Sequence, residues 1–118
     1  AASIHLSSRT PYIYMDEEIE MVDPDYDSMA DYVDVESINA YQMLLDQGKS
    51  PEQAFKITQA KSRDNSRTPM QWDASENAGF STGTPWLKAG KSYKDINVEN
   101  EINGSIFKFY KELIRLIL

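Results

Sequence analysis

From Ser62 to Gly104 the chain shows neither helical nor strand periodicity, and this constrains its fold more than any other feature. The stretch is rich in Asn, Ser, Thr, Gly and Pro, and it holds both tryptophans, Trp72 and Trp86. An aperiodic run of this length is unusual inside a compact domain. It is therefore either functional or packed against something beyond the chain.

The segments before and after it are regular. Val35, Ile38, Tyr41, Leu44 and Leu45 recur at spacings of three and four, which predicts an amphipathic helix with Asp34 as its N-cap. Gly48 is placed to end it in a left-handed turn. Ser50-Pro-Glu-Gln53 is a capping box with Pro at the first helical position. It opens a second helix, roughly Pro51 to Lys61, expected to bury Ala54, Ile57 and Phe55. The two form an αα-hairpin. A last helix is expected from Ser105 to Leu118, where Ile106, Phe109, Tyr110, Leu113, Ile114 and Ile117 form a stripe and Phe107, Leu116 and Leu118 lie off it. A helix apolar nearly all round calls for burial on several sides. Near the N-terminus, Thr10-Pro-Tyr-Ile-Tyr-Met15 suits a short strand starting at the proline. The fold expected is mainly α with one or two short strands.

Composition removes several classes of function. Twelve Lys and Arg against nineteen Asp and Glu give a net charge of −7, so the basic footprint of a nucleic-acid binder is missing. Acidity gives no help at an anionic membrane, and Ile106 to Leu118 is too short and too charged to span one. The chain has no cysteine, which excludes thiolate metal sites and disulfides and fits a reducing compartment. No signal peptide is recognisable, and a cytoplasmic location is expected.

Several local clusters bear residues capable of chemistry. Glu17 and Glu18 are adjacent, whereas glycoside hydrolysis needs two carboxyls facing each other about 5–10 Å apart. They read as an acidic loop or helix start. Asp23, Asp25 and Asp27 repeat the start of an EF-hand loop, but Ser28 and Asp34 stand where Gly and Glu are required. His5, the only histidine, has no triad partners arguable from sequence, and there is no glycine-rich phosphate loop. No metal or cofactor is expected. The most distinctive segment is Ser62-Arg-Asp-Asn-Ser-Arg-Thr-Pro-Met-Gln-Trp-Asp73, which gathers two arginines, planar polar side chains and an indole in one loop. Such groups suit a carbohydrate pocket, and they equally suit a structural loop held by an Arg–Asp pair.

That segment resembles a signature of the glycoside hydrolase family 13 α-glucosidases: oligo-1,6-glucosidases, dextran glucosidases and trehalose-6-phosphate hydrolases. The resemblance is colinear. Pro11-Tyr-Ile-Tyr14, Glu17-Glu-Ile19 and Met21 look like the end of the eighth barrel strand, and Asp34 to Tyr41 like the helix after it. Asn77-Ala-Gly-Phe80, Pro85-Trp86 and Tyr93 to Asn100 continue the pattern, and Ser105-Ile-Phe with Tyr110-Lys-Glu-Leu-Ile resembles the final barrel helix.

The resemblance implies a segment of a TIM barrel that hydrolyses α-1,6 or α-1,4 glucosides with retention. It places the three catalytic carboxylates upstream of Ala1, so no catalytic residue is expected among residues 1–118, taken as a single barrel fragment with a long loop over 62–104. It implies that an arginine, Arg63 or Arg67, helps hold the terminal glucose, partnered by an aspartate upstream of Ala1; Asp64, Trp72 and Glu17 are expected as site-loop support. The isolated chain is expected to be inactive. The other reading is a non-catalytic, self-associating module or gene remnant, with a homo-oligomer covering the last helix. The chain departs from the family where glycine usually stands, at Arg9, Asp16 and Glu20. If those positions have positive φ, the replacements are strained. It also ends Leu116-Ile-Leu118 where basic residues are usual.

Overall fold

The computed structural model describes residues 12–117. His5, Arg9 and the expected strand's first residues, Thr10 and Pro11, lie outside them. The caps read from sequence hold. Helix α1 runs Val35–Asp46, and the Asp34 carboxylate accepts the Ser37 N–H at 3.1 Å. Gly48 takes φ 85°, the left-handed turn that closes it. Helix α2 runs Pro51–Gln59, and its capping box is reciprocal. Gln53 N–H donates to Ser50 Oγ at 3.2 Å, and Ser50 N–H donates to Gln53 Oε1 at 3.3 Å. The two helices pack as an αα-hairpin.

The long loop is built of turns rather than being structureless. It contains 3-10 turns at Arg63–Ser66 and Lys91–Lys94, a tight turn over Glu76–Gly79 in which Asn77 and Ala78 take left-handed φ of 53° and 58°, then the short helix α3, Val98–Glu101. Buried polar side chains fasten it. Gln71 Nε2 donates to Ser92 Oγ at 3.2 Å, and the Gln71 carbonyl accepts Val98 N–H at 2.9 Å. Asn97 caps α3 through Asn100 N–H at 2.9 Å and donates to the Tyr93 carbonyl at 2.9 Å. The stretch around residue 90 lies on the segment from Pro24 to Tyr32. Tyr26 OH donates to the Lys88 carbonyl at 2.5 Å, and Lys91 Nζ pairs with Asp27 at 2.6 Å and Asp25 at 3.8 Å. Two of the EF-hand-like aspartates thus hold a lysine. Tyr26, Tyr32 and Phe55 stack edge to face, with centroids 5.2 and 6.3 Å apart. Helix α4, Ser105–Ile117, buries Tyr110 and Leu113 and packs on the 3-10 turn Glu17–Ile19.

Three expectations are corrected. No strand forms among the described residues, and Tyr12 to Tyr14 has no regular structure. A strand exists only by pairing its N–H and C=O groups with a neighbouring strand, and no such pairing is made among the described residues. The α1 stripe is not buried. Val35 is 68% exposed, Ile38 45%, and Tyr41, Leu44 and Leu45 are only partly covered. The residue α1 buries fully is Ser37. Helix α2 ends two residues before Lys61, and it buries Ala54 and Thr58 while Ile57 stays exposed.

These exposed faces agree with the overall shape. The radius of gyration is 17.1 Å, against about 13–14 Å for a compact domain of this length. The molecule is a slab of 52 × 35 × 21 Å.

Candidate functional site

The 3-10 turn Arg63–Ser66 divides the signature loop into two faces. Ser62, Asn65 and Ser66 lie on one side of it, and Arg63 lies on the other beside Asp34 and Glu36. The first face borders a cleft of about 250 Å³ together with Tyr14, Asp16 and Glu17. Arg63 borders a second cleft, of about 240 Å³, with Asp34, Glu36 and Thr58.

Asp64 fastens the turn to the start of α1. Fully buried, it accepts the N–H groups of Val33 and Asp34 on one oxygen, each at 2.8 Å. Ser62 Oγ accepts Asp64 N–H at 3.2 Å and the Ser37 hydroxyl at 2.8 Å, which links loop and helix a second time. Two backbone donors on one carboxylate oxygen make charge-assisted bonds, the stronger kind.

The arginines gather around one acid. Asp34 Oδ1 lies 3.7 Å from Arg63 Nε and 3.7 Å from Arg67 Nη1. Arg67 also reaches Asp64 Oδ1 at 3.8 Å, and Arg63 pairs with Glu36. The Asp34 side chain is 9% exposed, while those of Arg63 and Arg67 are 54% and 40% exposed. The carboxylate is therefore enclosed and the guanidiniums keep donors free for solvent or a ligand. The Ser37 hydroxyl and N–H, then the two guanidiniums, hold the Asp34 carboxyl below the usual range.

The structure thus brings Arg63, Arg67 and Asp64 together, and it separates them from Glu17 and Trp72. Glu17 faces the other cleft and accepts a hydrogen bond from Tyr110 OH at 2.9 Å, fastening its turn to α4. Trp72 is half exposed and borders neither cleft; its backbone bonds to Ala78 and Glu99. Sequence reading missed Asp34 as the arginines' partner. Its sequence context marks it only as a helix cap, and no local spacing relates it to residues 63 and 67.

The Alpha amylase, catalytic domain family model matches residues 1–117. The chain belongs to the α-amylase catalytic-domain family. Trehalose-6-phosphate hydrolase of Bacillus subtilis (strain 168) is 46% identical over 118 residues, and oligo-1,6-glucosidase of Parageobacillus thermoglucosidasius is 44% identical over 119. Each match covers 98% of this chain and 21% of the relative. A crystal structure of Bacillus licheniformis trehalose-6-phosphate hydrolase superposes with a TM-score of 0.89 at 48% identity, over 98% of this chain and 21% of that one. The chain therefore spans about a fifth of the length of these α-amylase family relatives, and it folds as that fifth does. The mainly helical character and the resemblance to the oligo-1,6-glucosidase and trehalose-6-phosphate hydrolase group both hold.

Proposed function

We propose that this chain is the part of a retaining α-glucosidase that carries a sugar-holding arginine loop. In this reading residues 1–118 are one segment of the catalytic barrel, and the loop over residues 62–104 lies at its substrate end. The observation that supports it most is the arginine cluster. Arg63 and Arg67 stand on an enclosed carboxylate with their outer donors free, in a segment colinear with enzymes named for α-glucoside hydrolysis. Guanidinium forks suit sugar hydroxyls and a partner carboxylate, and an α-glucoside or oligosaccharide is the substrate class proposed. Lacking the two carboxyls that the reaction requires, the chain alone has no turnover.

The test exchanges this chain for the matching fifth of the B. subtilis trehalose-6-phosphate hydrolase. The chimera is expected to hydrolyse an α-glucoside, and Arg63→Ala and Arg67→Ala to raise its KM. A folded chimera indifferent to both substitutions would count against the reading, and so would glucose release from isomaltose by the chain alone.

A second reading is favoured by the uncovered faces. Val35, Ile38, Met43, Phe109 and Leu116 are exposed on α1 and α4, and such surface promotes association. The isolated chain would then act as a non-catalytic module that pairs with its own copies.

A further inference from the structure

We propose that Asp34 is a positioning residue for both Arg63 and Arg67, a role separable from its role as the N-cap of α1. The proposal rests on the reading that these arginines hold the sugar, and it adds the group that aims them.

The two oxygens of Asp34 do different work. Oδ2 accepts the Ser37 N–H at 3.1 Å and the Ser37 hydroxyl at 2.8 Å, which is the capping arrangement. Oδ1 faces the loop and lies 3.7 Å from each arginine. One carboxylate thus joins the start of a helix to both cations. Its backbone is fixed independently, because Asp34 N–H is bonded to the buried Asp64 at 2.8 Å. The carboxylate therefore starts from a rigid base, whereas long arginine side chains bring several free torsions of their own. Glu36 does not substitute for it: it pairs with Arg63 alone, and its side chain is 77% exposed. An enclosed acid keeps more of its attraction than an exposed one, because water screens it less.

The two roles call for different chemistry. A cap needs only a short side chain with an acceptor oxygen, and Asn and Ser serve about as well as Asp. Attracting two guanidiniums needs the charge. Asp34→Asn and Asp34→Ser should therefore keep the helix and release the arginines. Asp34→Glu keeps the charge and impairs the cap.

Nitrogen NMR of the purified chain reads both roles. Asp34→Asn and Asp34→Ser are expected to melt within a few degrees of the parent. Hydrogen exchange at Arg63 Nε–H and at the Nη–H groups of Arg67 should quicken about two- to fivefold, the range of partly exposed ion pairs. Asp34→Glu should melt lower yet keep much of the arginine protection. Unchanged exchange in Asp34→Asn overturns the proposal, as does exchange that quickens only in step with lost helix stability. Should the Asp34 variants not fold, Arg63→Gln and Arg67→Gln alter exposed side chains and report from the other side. Each should shift the Asp34 carboxyl carbon resonance, and no shift from either overturns the proposal. None of these readouts uses a sugar, so failure here and failure of the proposed substrate site are distinguishable.

Discussion

At the scale of single residues, the acidic turn before Met21 shows what this chain carries in place of glycine. Asp16 has φ 87° and Glu20 φ 54°, both in the left-handed region. Asp16 Oδ1 and Glu18 Oε2 are buried without a hydrogen-bond partner. Burial, and then the neighbouring Glu18, raise Asp16 from 3.8 to about 6. Because the folded state prefers Asp16 protonated, its contribution to stability is fully present below pH 3.8 and is lost as pH rises through about 6. Asp34 acts in the opposite sense: its lowered pKa stabilises above the ordinary carboxylate range and is lost in acid. Asp16→Gly removes both the left-handed strain and the buried charge. It should stabilise the chain by about 1 kcal/mol at pH 8, with a smaller gain at pH 5, checked by urea melts at both. An equal gain at the two pH values would mean that strain alone matters. Gly90 illustrates the converse. A Cβ there would lie 3.1 Å from Pro24 Cα and 3.4 Å from Gln71 Nε2, both in buried surroundings. Gly90→Ala should cost about 1–3 kcal/mol, the range of overpacking, read as a lower urea midpoint. The strain at Asp16 and Glu20 was legible in sequence, because glycine was missing where the resembling family keeps it. The Gly90 contact was not, since nothing local relates residue 90 to residue 24.

At the scale of elements, the caps were the most legible part of the fold, because they depend on atoms three residues apart. Ser50 with Gln53, Asp34 with Ser37 and Gly48 all act as their spacing predicts. Ser50→Ala should lower stability by about 1 kcal/mol and fray α2 first, seen as loss of amide protection from residue 53 onward. A uniform loss of protection over α1 and α2 would show instead that the hairpin melts as one unit. Burial was far less legible. The periodicity of Val35, Ile38 and Tyr41 marks an apolar face correctly, but what covers a face is a long-range fact. Ser37 is buried in α1 because Asp34 and Ser62 bond to it. The missing strand has the same cause, since strand propensity in Tyr12 to Met15 acts only when a neighbour supplies a ladder. The site followed this rule too. Arg63, Arg67 and Asp64 were found because they are close in sequence, whereas Glu17 meets Tyr110 across 93 residues and serves a different contact.

At the scale of the whole molecule, buried polar groups fix the loop while a set of large apolar side chains remains outside the small core. Gln71, Asn97, Thr68 and Asp64 are almost fully buried, while Trp86 is 74% exposed and Leu116 79%. Internal hydrogen bonds are made wherever geometry permits, regardless of what surrounds the chain. Apolar surface, in contrast, is buried only if a partner surface is present. A slab this thin has too little interior for both faces of its helices. The exposed residues of α1 and α4 therefore favour contact with a second surface, and in a pure solution of this chain the only one available is another copy. Light scattering should give a mass of at least twice the monomer at high protein concentration, falling on dilution. Added salt should not dissociate the assembly, because burial of apolar area is not screened as charge is. Leu116→Lys together with Val35→Lys should return it to monomer, while the Asp34–Ser37 and Ser50–Gln53 caps, set by local bonds, keep both helices. A monomer at every concentration would mean that these faces stay solvated, and the reading of the chain as a self-associating module would fall.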